Sequence, residues 1–231
     1  MFPLEALRKP KSTPYVTYGL IAVNILVFIW ELMQPNLSQQ FMALAIVPCE
    51  MSQNLFSLDT IADSLRTMFL HGGWVHITGN MIFLGIFGPL IEDYLGKSRF
   101  LFFYLATGLI AGFVHTAISW NVCVPVIGAS GAIYGVLGAF LLLYPATRIR
   151  SIGFLFGIPF GVRDIHAFYL LLSFFLIDVF NAVTTVLDLT TSSVAFWAHV
   201  GGFVGGLLLA FTFMLFRPPP EVDAFEYLDA D

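Results

Sequence analysis

The sequence predicts an all-α membrane protein, a bundle of six transmembrane helices with a membrane-associated first outer loop. Three observations carry that prediction. Hydrophobic residues fill 58% of the 231 positions and charged ones only 11%, too little charge to cover a soluble domain of this size. Six apolar stretches recur along the chain, bounded by prolines, glycines and charges. The basic residues are sorted by side rather than scattered. The net charge of −5 says little, because the signs are segregated by position.

The elements follow in order. Residues 1–14 form a basic tail, read as cytoplasmic, ahead of the first apolar stretch. That stretch has no small-residue cleavage site, so it reads as a retained span rather than a signal peptide. The six spans fall at about residues 15–32, 75–91, 100–118, 130–144, 165–184 and 194–216. Pro14 and Pro35 bracket the first, and Gly96 sits in a tight charged turn between the second and third. Pro125 precedes the fourth, Pro145 ends it, and Pro218 to Pro220 follow the sixth. Each span satisfies its own backbone as a helix, as hydrocarbon requires. Residues 15–217 form the membrane domain, and 218–231 an acidic, solvated tail.

With the N-terminus inside, nine of the ten basic residues lie on the cytoplasmic side, and Arg66 alone lies outside. An odd number of spans would spoil this sorting. Both termini are therefore expected in the cytoplasm. The first outer connection is long and apolar, and its segments 41–47 and 61–70 read as short interfacial helices. The fourth span is short, about 22 Å of helix against a hydrocarbon core of ~30 Å. Its N-terminal end must stop below the outer surface.

Chemistry-bearing residues gather at that depth. Ser130 opens the fourth span between Gly128 and Gly131. Flanking glycines leave room for a carbonyl to approach, and a helix N-terminus offers free N–H groups to a developing oxyanion. Taken alone, the stretch reads more readily as a helix cap with small packing residues. His199, in the sixth span, changes that balance, because ionisable groups in such segments are costly and usually functional. Gly202 and Gly206 share its helix face at the spacing that lets membrane helices approach closely, and Gly131 and Gly135 repeat that spacing beside Ser130. Ser130 to Arg148 and His199 to Arg217 are both 18 residues, so serine and histidine lie at matching depths, ~27 Å of helix from the basic side. Tyr134, one turn after the serine, is placed to pack on the imidazole. His76 and Asn80 are i and i+4 on the second span, and their N–H groups make a plausible oxyanion hole, or simply interhelical glue.

The order His71-x4-His76-x3-Asn80, Gly128-Ala-Ser130-Gly131 with Tyr134, and Ala198-His199-x2-Gly202-x3-Gly206 resembles the rhomboid family of intramembrane serine proteases. The resemblance covers nearly the whole chain. It implies a rhomboid-like six-helix bundle and a dyad, with Ser130 as nucleophile and His199 as base. It also implies that His76, Asn80 and the Ser130 N–H receive the oxyanion, and that His71 is mainly a structural residue of the outer rim. Substrates would be single-span membrane proteins cut near the outer end of their span, most naturally in the cell membrane. No cofactor, metal or nucleic acid is implied. One departure stands out: many members carry a Trp-Arg pair in the first outer loop, where this chain reads Asp63-Ser-Leu-Arg-Thr.

The alternatives are a catalytically silent relative that binds membrane helices, a metalloprotease and a transporter. His71 and His76 are five apart with no glutamate between them, unlike an HExxH helix, and no internal repeat supports a transporter. Asp178, in the fifth span, could be the third member of a triad that orients His199. Since a dyad needs no acid, it is read in preference as a carboxylate near the outer end, paired with a polar neighbour or reached by water. Cys49 and Cys123 both fall on the outer side, and a disulfide between them is left open. The natural substrate and oligomeric state are not legible.

Overall fold

The computed structural model describes residues 1–53, 57–155, 157–187 and 194–220. Helices dominate it: α1 (Tyr15–Leu32), α2 (Leu37–Leu44), α3 (Pro48–Met51), α4 (Leu58–Arg66), α5 (Trp74–Leu95), α6 (Lys97–Ile118), α7 (Ser130–Leu143), α8 (Ala167–Val186) and α9 (Phe196–Met214). Among the described residues α1, α5, α6, α8 and α9 are long and apolar enough to cross a membrane, and α7 is apolar but shorter. The six expected spans all appear as helices, with ends shifted by one to three residues at most positions. Of the expected acidic tail, residues 221–231 lie outside the described residues.

The helix ends follow from local chemistry. Pro14 gives α1 no side-chain cap. Instead the Glu92 carboxylate of α5 accepts the N–H groups of Val16 and Thr17 at 2.9 and 2.7 Å and the Thr17 hydroxyl at 2.8 Å. An acid at a helix N-terminus is favoured by the dipole and by the unsatisfied donors there. Gly96 alone joins α5 to α6, at φ +80°. Only glycine reaches that left-handed region without a Cβ clash.

The all-α expectation is corrected at the end of the bundle where α1 begins. Strands β1 (Phe2–Ala6), β2 (Arg148–Leu155) and β3 (Ile158–His166) form an antiparallel sheet in the order β1-β2-β3. The N-terminal tail is thus partly a strand, and residue 165, expected to open the fifth span, lies within β3, which ends at His166. The signal was present in the alternation Arg148-Ile149-Arg150-Ser151-Ile152, with Gly157 at the turn. Arg150 ties the sheet together, reaching Glu5 at 2.8 Å and Asp164 at 3.2 Å.

The connection between α1 and α5 carries short helices, partitioned differently from the expected segments. Residues 45–47 are extended rather than helical, because Pro48 disfavours helix at the residue before it and starts α3. This loop is stitched to the segment ahead of α7. Cys49 and Cys123 are joined in a disulfide, and Ile46 pairs with Val126. The Thr67 hydroxyl accepts from the Ile46 N–H and donates to the Val126 carbonyl. In place of the missing Trp-Arg pair, Arg66 pairs with Asp63 at 2.7 Å.

Helix α7 lies at the centre, against α5, α6, α8 and α9. Its partners bury Phe87, Phe100, Phe103, Tyr104 and, on α7 itself, Phe140. In lipid, helices associate through packing and close backbone approach rather than water exclusion. The α7–α9 seam shows how. A Cβ on Gly202 would strike the Gly131 carbonyl, and one on Gly206 the Gly135 carbonyl.

Candidate active site

Three helices converge on one point. Ser130 is the first residue of α7 and is half-buried. Its amide and the next ones in the turn have no preceding helical carbonyl to bond. His199 lies in the first turn of α9. Its Nε2 is 2.9 Å from Ser130 Oγ, and its Nδ1 is 2.8 Å from Asp178 Oδ2 on α8. A carboxylate only accepts, so Nδ1 carries the proton and donates to it. That leaves Nε2 as acceptor for the serine hydroxyl. This is the tautomer a general base requires.

The imidazole is held on its faces as well. Tyr134 stacks on it with centroids 4.1 Å apart and planes 6° from parallel, and Phe196 meets it edge-on at 6.2 Å. The His199 and Asp178 side chains are only 11% and 10% exposed. Their pairing is therefore little screened by solvent.

Asp178 is paired with a polar neighbour, and that neighbour is His199 itself, the arrangement of the triad alternative. Sequence distance hides this: the two are 21 residues apart on different helices, and no spacing rule links them.

His76 and Asn80, the expected oxyanion donors, lie beside the backbone ahead of Ser130. Gly128 has φ +125°, and a Cβ there would sit 2.7 Å from His76 Nε2 and 3.6 Å from Asn80 Nδ2. The backbone ahead of Ser130 thus passes directly under both donors, and only glycine permits it. The Gly128 N–H is fixed by the Thr67 carbonyl at 2.9 Å. His71 is fully buried, with its Nε2 3.0 Å from Asn80 Nδ2. The Nδ1 of His115, another histidine of the apolar stretches, is buried with no hydrogen-bond partner among the described residues.

Comparison with known proteins identifies the family. The rhomboid domain model matches residues 59–216. Two Bacillus subtilis (strain 168) proteins named as rhomboid proteases are 31% identical to the chain. YdcA matches over 64% of this chain and 64% of its own length, and GluP over 89% and 36%. The mitochondrial rhomboid protein 1 of Saccharomyces cerevisiae is 29% identical over 84% of this chain and 51% of its own. The chain spans less than two thirds of the length of each of these relatives. With a domain match over more than half its length, and several apolar helices of membrane-crossing length, this multi-pass membrane protein belongs to the rhomboid family.

Proposed function

We propose that the chain is an intramembrane serine endopeptidase that cleaves other membrane proteins in or beside their transmembrane segments. The observation that carries this reading is the hydrogen-bonded chain Asp178–His199–Ser130, with both links under 3 Å. Ser130 Oγ attacks the scissile carbonyl as His199 Nε2 takes its proton. Asp178 holds the imidazole and stabilises the imidazolium. His76, Asn80 and the Ser130 N–H receive the oxyanion, and the positive end of α7 adds to them. His199 then returns the proton to the leaving amine, and water releases the acyl group by the same steps.

The bundle crosses the membrane six times, both termini lie in the cytoplasm, and the site opens toward the outer face of the cell membrane. The sorting of the basic residues supports this orientation. Substrates are single-span proteins. A peptide bond in a regular helix is crowded and its carbonyl is engaged, so cleavage falls near helix-breaking residues, after a small side chain.

The test is to incubate the purified protein in liposomes with a panel of single-span substrates. Cleavage is expected to vanish in Ser130→Ala and to persist with a chelator. An active Ser130→Ala protein sinks the serine mechanism. An inert wild type leaves the helix-binding alternative.

A further inference from the structure

Glu31 takes no part in the chemistry described so far, yet it is 1% exposed, at the last turn of α1. Its Oε1 accepts the His71 N–H at 2.9 Å. Its Oε2 is buried with no partner among the described residues. Burying a carboxylate with one oxygen unsatisfied is costly, and Phe28 packing edge-on against Trp74 at 5.0 Å already joins α1 to the start of α5. Packing at this joint does not require an acid.

What Glu31 holds is His71, and what His71 holds is Asn80. The His71 Nδ1 is 3.3 Å from the Phe69 carbonyl, which can only accept. Nδ1 therefore carries the ring proton, and Nε2 is an acceptor. Across the ring, Nε2 is met by Asn80 Nδ2 at 3.0 Å, so the amide must present its NH₂ there. One amide hydrogen is spent on His71, which leaves the other for the site, since Nδ2 lies 3.6 Å from where a Gly128 Cβ would stand. The opposite ring tautomer would flip the amide and turn its oxygen, an acceptor, toward the developing negative charge. The sequence Glu31, His71, Phe69 carbonyl, Asn80 therefore has one consistent set of proton positions, and that set aims an N–H into the site.

We infer that Glu31 and His71 are positioning residues that lock the Asn80 amide with its donor toward the oxyanion; the inference rests on the protease reading above. Glu31 acts through the backbone of His71, and His71 through its ring acceptor. Neither touches substrate. Removing one oxyanion donor costs roughly 10²- to 10³-fold in kcat, and a misaimed donor loses part of that.

The experiment is a double-variant cycle on the full chain in liposomes, combining Glu31→Leu with Asn80→Ala. Glu31→Leu alone is expected to lower kcat by roughly 10- to 100-fold with KM little changed. It should weaken binding of a peptide aldehyde, whose adduct with Ser130 places an oxyanion in the site, by a similar factor. Glu31→Gln, which keeps an acceptor oxygen, should stay within about threefold of wild type. In the Asn80→Ala background Glu31→Leu should change kcat by about twofold at most, since the donor it aims is gone. If Glu31→Leu fails to fold, His71→Leu is run through the same cycle with the same expectation. An active enzyme in which the two losses simply multiply overturns the inference while leaving the protease reading standing. A wild type that cleaves nothing overturns both.

Discussion

Helices α7 and α9 meet backbone to backbone, whereas α5 and α8 reach each other through the tips of side chains. Along the first seam four glycines interlock, and no side chain can be inserted without moving main chain. Across the second gap Phe83 faces Phe174 with ring centroids 5.7 Å apart, and α8 turns Phe180 outward, 68% exposed. In the proposed mechanism the nucleophile and the base sit on the rigid pair. The proposed acid sits on α8, the helix that meets α5 only through side-chain tips. The contrast separates what must never move, the 2.9 Å between Ser130 and His199, from what must yield if a substrate helix is to enter sideways. It also means that any outward swing of α8 carries Asp178 away from His199.

That division is easiest to break at the seam. Gly206→Leu forces a side chain into the Gly135 backbone, and complete loss of folded protein and of cleavage is expected. Thermal melting in detergent, read beside activity, checks it. Folded, active Gly206→Leu protein would mean that the seam is not rigid.

The next effect is at Asp178. Asp178→Asn keeps the shape but permits the wrong imidazole tautomer, so kcat should fall by roughly 10²- to 10⁴-fold with KM little changed. A loss of less than tenfold in folded protein would reduce Asp178 to a packing residue. The aromatic contact between α5 and α8 is worth far less. Phe174→Ala removes a ring pair worth about 1 kcal/mol, a factor of roughly five in any equilibrium that parts the helices. Cleavage of a single-span substrate should rise by up to that factor while the melting temperature drops slightly. An unchanged rate would argue that α8 does not part from α5.

The smallest effect concerns pH. Burial, with His76 adding to it, pulls the His71 imidazole down from 6.5 to about 4. Between those values the unfolded chain binds a proton that the folded one does not. Stability present above about pH 6.5 is therefore lost as pH falls toward 4. His71→Gln should flatten that part of the melting-temperature profile by comparison with wild type.

Much of this was legible in the sequence because a bilayer imposes few solutions. Each span must be a helix, so a serine and a histidine equally far from basic residues are forced to one depth, and glycines at spacing four mark the helices that touch. The rest depends on relations no spacing encodes. Asp178 and Glu31 matter for what they face, and each faces a residue on another segment. The sheet was missed for a different reason. Its strands are interrupted by Gly153, Pro159 and Gly161, which weaken the alternation that identifies a strand.

The bond between Cys49 and Cys123 carries a consequence for topology that does not depend on counting charges. It closes a covalent ring over a sequence separation of 74 residues, and that ring contains α5, the Gly96 turn and α6. Two residues joined to each other lie on one side of a bilayer, so the chain between them crosses it an even number of times. Two helices of crossing length within the ring satisfy that parity. A chain in which only one of the pair had inserted would leave its two sulfurs on opposite faces and could not close. The shift in gel mobility on reduction is thus a record of whether both helices were threaded.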